Sequence, residues 1–167
     1  MSPRHLLWLA LLPAVSSFAA ETPELQRAAG TPQAVGAAHT LRQIPEACAR
    51  LEGVFTGEAA QPYTFAVVRT SEQCQPRARF VDYDKAQPSE AKGWKLNDVI
   101  RVPNASCPAQ QAVVRVWRMP VTTKHELDGQ GQSRIYLEDA KKQAAAGKIA
   151  QVPMFAAQMK VEGKACN

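Results

Sequence analysis

The sequence predicts a mainly β protein, α+β by content, with a small antiparallel sheet or barrel of about five to six strands. The strongest indication is the stretch 107–119, in which apolar residues occupy both faces of an alternating pattern, as in a central strand that is covered on both sides. A second indication is the stretch 94–102, which alternates apolar and polar residues like a half-buried strand. Loops rich in turn residues separate these and the other short β-favouring runs.

The individual elements follow from local composition. A helical turn over 45–50 is expected before the first strand, because this stretch opens with a proline, which suits the first position of a helix. Strands are predicted over residues 51–57, 63–70, 77–83, 94–102, 107–119 and 152–161. One surface helix is predicted near 134–146, since Glu138 and Lys142 form an i,i+4 pair and a glycine follows.

The run Trp94–Val102, which comes after three predicted strands, resembles the start of the fourth strand of an OB-fold. This resemblance implies an OB-like barrel as one form of the predicted sheet. The chain departs from the OB pattern in one respect, because its predicted helix follows the fifth strand instead of lying between the third and the fourth.

The N-terminus is typical of a secretory signal peptide over residues 1–19, with cleavage after Ala19 or Ala20. Its apolar segment, Leu6–Val15, has about ten residues, whereas a bilayer span needs roughly 20. We therefore expect an exported protein without a stable membrane span, either periplasmic or secreted. The Ala- and Gln-rich composition favours a bacterial envelope as its location.

Residues 20–43 are rich in Ala, Gly, Thr, Pro and Gln and carry few bulky side chains. Such a stretch has little apolar surface to offset the entropy lost on ordering, so it is predicted to be a flexible N-terminal tail. The remaining residues, 44–167, have a suitable length for one domain. They are predicted to form a single β-rich domain that is cross-linked by disulfides.

Four widely spaced cysteines predict two disulfides in an exported chain. They are Cys48, Cys74, Cys107 and Cys166. Strands that alternate in direction would gather all four at one end of the sheet, which leaves three pairings open. We favour Cys74–Cys107 and Cys48–Cys166, because the second bridge would join the two ends of the domain in a closed barrel. No C-x-x-C pair is present, so the sequence predicts neither a metal site nor a cofactor.

The charge of the chain is mildly basic. The full sequence carries 20 Lys and Arg against 15 Asp and Glu, a net charge of +5, and loss of Arg4 with the signal peptide leaves 19 against 15, or +4. This excess favours contact with acidic polymers or other anionic partners. It is no signature of nucleic-acid binding.

Candidate catalytic groups are few. The histidines of the mature chain are His39, in the predicted tail, and His125, in a polar segment without a nucleophile motif nearby. Asp82 and Asp84 can share one face of a strand as paired carboxylates, although a solvated rim is the commoner role of such a pair. The stretch 128–139 partly matches a calcium loop, but serine stands at its sixth position, where glycine is needed. No catalytic or metal-binding residue is predicted.

The side chains most suggestive of binding are arginines that alternate with aromatic residues on the predicted strands. Guanidinium groups beside aromatic rings are typical of surfaces that contact anions or partner proteins. Arg115 stands out because Val113 and Trp117 flank it on its own face, and a half-buried arginine requires a carboxylate or a ligand. The predicted anion- or partner-binding residues are Arg101, Arg115, Arg118, Trp94 and Trp117.

Together these features predict an exported, non-catalytic binding or interaction protein. Its partner would be another envelope protein, for example an enzyme that it inhibits, or an acidic polymer. One alternative is a small envelope hydrolase, which requires at least two of its acid–base candidates to converge in one cleft. Those candidates are Asp82, Asp84, Glu126 and His125. The other alternative is a structural component of the envelope.

Overall fold

The computed structural model of the chain describes residues 21–121, 129–130, 138, 141–142, 145–147 and 152–166. The predicted signal peptide, residues 1–19, lies outside them. The strands are β1 (His39–Ile44), β2 (Ala49–Phe55), β3 (Tyr63–Arg69), β4 (Arg79–Phe80), β5 (Lys95–Asn104), β6 (Cys107–Met119) and β7 (Met154–Gly163). A short helix, α1, covers Tyr83–Ala86, and 3-10 turns cover Pro45–Ala47 and Glu90–Lys92. Among the described residues, strands make up 47% and helices 11%, which confirms the mainly β class.

The strands form two sheets, with the orders β1-β2-β3 and β4-β7-β6-β5. All neighbouring strands are antiparallel except β4 and β7, which are parallel. The sheets share one core, but they do not close into a barrel. The predicted antiparallel sheet is therefore confirmed, whereas the closed OB-like barrel is not formed, because β3 and β7 are not paired with each other.

The strand β6 is central, as its sequence predicted. Its even-numbered apolar residues, such as Val114 and Val116, pack into the core shared with β1, β2 and β3. Its odd-numbered residues Val113 and Trp117 pack into a second cluster on the opposite face, together with Trp94 and side chains of α1. Both faces are covered because side chains alternate along a strand, and β5 and β7 flank β6 on its two edges.

A β-bulge in β5 separates apolar residues that the sequence pattern placed on one face, because Trp94 and Leu96 lie opposite to Ile100 and Val102. The pairing register shifts between Leu96 and Asp98, and the extra residue, Asn97, reverses the alternation. Leu96 therefore packs into the outer cluster, while Ile100 belongs to the shared core. Simple alternation over 94–102 predicts that Leu96 and Ile100 lie on the same face. The bulge leaves Asp98 pointing toward the first sheet.

The predicted strand over 77–83 is much shorter in the structure. Only Arg79 and Phe80 form β4, because Asp82 is the N-cap of α1. The Asp82 Oδ1 accepts a hydrogen bond from the Lys85 amide at 2.9 Å, which is the usual function of an aspartate at a helix N-terminus.

The surface helix predicted near 134–146 lies largely outside the described residues. Within that range, residues 138, 141, 142 and 145 are helical, residue 146 is in a turn, and all five are exposed. The Ala146 amide donates to the Lys142 carbonyl at 3.0 Å. The prediction is confirmed for the four helical residues.

The N-terminal segment, residues 24–36, lies along the free edge of β5. The Glu24 and Leu25 amides donate to β5 carbonyls at 2.9 and 2.8 Å, and the Gly30 amide donates to another at 2.7 Å. Main-chain hydrogen bonds of this kind require no bulky side chain, so the apolar content of the sequence did not indicate them. The ordered part of the chain thus begins before Ile44, where the sequence had placed the end of a flexible tail.

Ionic contacts fasten the start of this segment to the second sheet. The Glu24 carboxylate accepts hydrogen bonds from the Arg118 guanidinium at 2.6 and 3.1 Å and from the Asn97 amide at 2.8 Å. The hydrogen bonds from Arg118 are the main cause of a lowered pKa at Glu24. Bidentate guanidinium–carboxylate pairs are among the stronger polar contacts in proteins.

A second ionic contact is centred on a carboxylate in the protein interior. The Asp98 side chain is fully buried, and its Oδ2 lies 2.9 Å from the Arg27 Nε and 3.3 Å from an Arg42 nitrogen. Burial raises the pKa of Asp98, and the two guanidinium groups oppose that rise. Asp98 therefore joins the N-terminal segment, β1 and β5 through one buried carboxylate.

The lowered pKa of Glu24 predicts a pH-dependent contribution to stability. Its folded-state pKa lies below the unfolded value of 4.5, so its stabilising effect is present above that value and is lost as the pH falls through the folded-state pKa. We expect Glu24→Gln to be destabilising at about pH 6 and less so at about pH 3. Urea denaturation of both proteins at the two pH values measures this. A destabilisation that is the same at both would contradict it.

The structure contains two disulfides, as predicted, but the cysteines pair differently. The bridges are Cys48–Cys74 and Cys107–Cys166, with Cα atoms 5.9 and 5.7 Å apart. The favoured pairs Cys74–Cys107 and Cys48–Cys166 are wrong, because they assumed a closed barrel. The Thr70 amide donates to the Cys48 carbonyl, so the loop after β3 lies beside Cys48. The start of β6 likewise adjoins the end of β7. Each bridge therefore stays within one sheet.

Candidate functional site

The two sheets are connected along one side and separate along the other. On the connected side the N-terminal segment leaves β5 and reaches β2, where Val35 pairs with Phe55 and the Gly36 amide donates to the Phe55 carbonyl at 2.8 Å. On the other side β3 is the edge of its sheet, and β7 is covered by β4 over only two residue pairs. Among the described residues, no strand lies between β3 and β7.

A groove of about 670 Å³ lies at this open side. We call it the β3–β7 groove. Phe65 and Val67 of β3 line it, together with residues 157–159 of β7 and residues 80–84. Its volume falls within the roughly 300–1,000 Å³ that is usual for ligand sites. Most of its lining is apolar, so the groove can bind apolar groups.

Alternate backbone groups of β7 face this groove without a strand partner. In the short β4–β7 ladder, the Val81 amide donates to the Phe155 carbonyl at 2.8 Å. Every second residue of a strand directs its backbone groups to the same edge, so those of Ala157 and Met159 follow Phe155. β4 ends at Phe80, and in the described part of the chain no other backbone group pairs with this edge.

The edge of β3 also directs alternate backbone groups into the groove, without a strand partner among the described residues. The Thr70 amide donates to the Cys48 carbonyl of the first sheet, and the register of the β2–β3 ladder has no shift. Even-numbered residues such as Ala66 therefore direct their backbone groups toward β2, whereas Phe65 and Val67 direct theirs toward the groove. The groove is thus bounded by two strand edges whose backbone groups have no hydrogen-bond partner among the described residues.

The side chains of the groove leave part of the shared core accessible. Phe65 and Met159 are only partly buried where they pack against that core. Val67 is 44% exposed although it is a large apolar residue in a strand. A segment that covered these side chains would remove apolar surface from water, which is favourable by about 25 cal/mol per Å².

Two carboxylates also line the groove. Asp82 and Asp84 are both exposed there, at the start of α1 and not on the strand face that the paired-carboxylate interpretation assumed. Asp82 is engaged as the cap of α1, however, through the Lys85 amide. The remaining hydrolase candidates, Glu126 and His125, lie outside the described residues. The two aspartates give the groove a negative charge, which suits a cationic group of a ligand.

The predicted arginine and tryptophan residues do not form one surface. Arg101 and Arg115 lie on the outer face of the second sheet, where Arg115 pairs with Glu162 at 3.4 Å. Arg118 lies on the opposite face of β6 and binds Glu24. The structure thus separates this set of arginines into two groups.

The two tryptophans are core residues. Trp94 and Trp117 are 3% and 7% exposed and pack together with the apolar side chains that α1 covers. Trp94 also lines a second, mainly apolar pocket of about 450 Å³ between α1 and residues Met119 and Met154. Neither indole offers the exposed ring that a binding face would need.

The apolar residues that line the groove were not among those predicted from the sequence. The alternating pattern of 63–70 correctly predicted a strand, but an alternating pattern does not tell whether a strand is central or at an edge. One signal was available, because Val67 stands in a strand that also contains Arg69 and is followed by polar residues, as is common at sheet edges. Asp98 was missed for a different reason, since a lone aspartate inside an apolar strand does not reveal its ion-pair partners.

Over the described parts of the chain, no three His, Cys, Asp or Glu side chains are grouped so that they could hold a metal ion. Within the same residues, no helix has the length and apolar character needed to cross a membrane. A comparison of the chain with known protein families, with curated proteins and with solved structures found no match to any of them.

Proposed function

We propose that this chain is an exported, non-catalytic binding protein, periplasmic or secreted in a bacterium, and that it contacts another envelope protein through the β3–β7 groove. The observation that carries the proposal is a largely apolar groove between two strand edges that no described strand covers there. The two disulfides support an oxidising compartment.

The lining of the groove favours binding over catalysis. Catalysis by general acid–base or nucleophilic chemistry requires a base within hydrogen-bond distance of the group that it activates. Among the lining residues the ionisable groups are Asp82, Tyr83 and Asp84, and Asp82 is committed to the α1 cap. Apolar walls with a few polar groups are instead the usual composition of a recognition site.

An acidic polymer is the second candidate partner, and it would bind elsewhere. Arg101 and Lys160 are exposed and flank Val113 from the two neighbouring strands. In the described part of the chain neither side chain has an ion-pair partner. This outer face of the second sheet is therefore the surface to compare with the groove.

The test uses two adjacent residues of β3. Val67 and Ala66 are both exposed, but Val67 lines the groove while Ala66 points away from it. The envelope protein retained by the immobilised mature chain would be purified, and its affinity measured for both variants. We expect Val67→Arg to weaken binding about 10-fold or more, roughly 1.4 kcal/mol, and Ala66→Arg to change it less than about twofold.

A third variant, Arg101→Glu, distinguishes the two surfaces. If it abolishes binding of the envelope protein while Val67→Arg has no effect, the outer face and not the groove is the binding surface. Equal effects of Val67→Arg and Ala66→Arg would also contradict a role for the groove. Circular dichroism confirms that each variant is folded.

A further inference from the structure

We propose that the β3–β7 groove takes its ligand by strand addition: an extended polypeptide pairs with both β3 and β7, with alternate apolar residues directed inward and a Lys or Arg beside Asp82 and Asp84. This rests on the proposed function and names the chemistry of its partner. Strand addition obtains affinity from main-chain hydrogen bonds and specificity from alternate side chains.

The two edges are regular, and the β7 edge is open beyond the two residues that pair with β4. β3 has seven residues and β7 has ten, neither contains proline, and neither ladder has a register shift. Natural proteins usually protect such edges with a bulge, a proline or a covering segment. The edge of β5 in the same molecule is covered in this way by the N-terminal segment. The edges of β3 and β7 lack comparable cover among the described residues.

The N-terminal segment shows how this molecule binds an extended chain. Its Glu24, Leu25 and Gly30 amides donate to β5 carbonyls, and the Glu24 carboxylate pairs with Arg118. An acidic side chain of the added segment thus meets a cation of the sheet. At the β3–β7 groove the charges of the protein are reversed, because Asp82 and Asp84 line it.

Among the residues that line the groove, the charged side chains are Asp82 and Asp84, both acidic. The Arg69 guanidinium at the end of β3 donates to the carbonyls of Ser71, Glu72 and Cys74, which holds it in its own loop. Lys160 of β7 occupies the pairing row of Arg101, on the outer face of the second sheet. A peptide with basic residues therefore fits the groove better than an acidic one.

The alternation of side chains follows from the same geometry. Phe65 and Val67 on one edge and Ala157 and Met159 on the other face the shared core. An added strand continues this inner layer with every second residue, and the residues between them face outward. The apolar positions of the ligand are thus expected two residues apart.

Amide hydrogen exchange of the mature chain, followed by NMR, tests this mode of binding directly. In the free protein we expect the amides of Ala66 and Gln158, which face neighbouring strands, to exchange at least about 100-fold more slowly than those of Val67, Ala157 and Met159. The probe is the acetylated and amidated peptide Lys-Val-Thr-Val-Lys-Val-Thr. When it is bound, the three fast amides should gain about 10-fold protection or more.

Two matched peptides separate the contribution of the lysine charges from that of the main-chain hydrogen bonds. A peptide with glutamate in place of both lysines should bind at least about fivefold more weakly. A peptide N-methylated at alternate residues keeps the side chains but loses main-chain donors, and it should not protect the groove amides. Absence of binding at about 1 mM lysine peptide, or binding that is indifferent to N-methylation, would overturn strand addition.

These outcomes are distinct from failure of the proposed function. If Val67→Arg abolishes binding of the envelope protein while that protein leaves the exchange of the three groove amides unchanged, the groove is the binding surface but strand addition is wrong. If the partner is indifferent to Val67→Arg, the proposed function is wrong, whatever the peptides do.

Discussion

Replacing Asp98 with alanine is expected to lower the free energy of unfolding by about 3–5 kcal/mol, the usual cost of removing one partner from a buried ion pair. The Asp98 carboxylate is fully buried, and the side chain of its partner Arg42 is only 13% exposed. Without Asp98, the Arg42 charge stays in the interior and loses its main compensation. Since small domains are typically stable by about 5–15 kcal/mol, this single change could remove a large part of the stability.

Urea denaturation followed by tryptophan fluorescence measures the effect, because Trp94 and Trp117 are both buried in one cluster. The control is Arg27→Met, which removes a cation that is 40% exposed and should cost less than about 1 kcal/mol. The double variant Asp98→Leu with Arg42→Met removes both buried charges and should recover more than half of the loss. A cost below about 1 kcal/mol for Asp98→Ala would show that the carboxylate is not buried between the two guanidinium groups.

Removing the Cys107–Cys166 bridge by a double alanine substitution is expected to cost about 4 kcal/mol in the loop-entropy picture, because its cysteines are 59 residues apart. The bridge joins the start of β6 to the residues after β7, so the unfolded chain gains the freedom of the whole connection between these two strands. Urea denaturation under non-reducing conditions measures the loss.

The matched variant removes the Cys48–Cys74 bridge, whose cysteines are 26 residues apart. The shorter loop predicts a slightly smaller cost, about 3.5 kcal/mol. Each double variant should keep the other bridge intact, which mass mapping of a non-reduced digest verifies. A peptide that links Cys74 to Cys107 would contradict the pairing, and a larger loss for the shorter loop would contradict the entropic account.

Local patterns predicted most of the strands well. β6 was predicted with its bounds, and the alternation within 63–70 and 94–102 located β3 and β5. β1 was missed because its residues lie in a stretch with few bulky side chains, although Leu41 and Ile44 belong to the core. The predicted strand over 77–83 failed where Asp82 caps α1, because an aspartate that follows β-favouring residues can cap a helix as readily as it can end a strand.

The candidate site was harder to predict than the fold. The sequence drew attention to arginines and tryptophans, and the structure buries both tryptophans and places the arginines on two faces. The residues that line the groove, such as Val67 and Met159, are ordinary strand residues. They become notable only because no described strand pairs with their edges.

By itself, the sequence determined that this protein is mainly β, that β6 is covered on both faces, and that the four cysteines form two bridges. Side-chain alternation and turn residues act over a few neighbouring positions, so they can be read without knowledge of distant contacts. Only the tertiary structure decided which sulfurs pair, that Asp98 meets Arg27 and Arg42, and that no described strand covers the edge of β3 or, beyond β4, the facing edge of β7. Those outcomes depend on which strands become neighbours and in what register, and the bulge at Asn97 alone reverses the face of the residue before it.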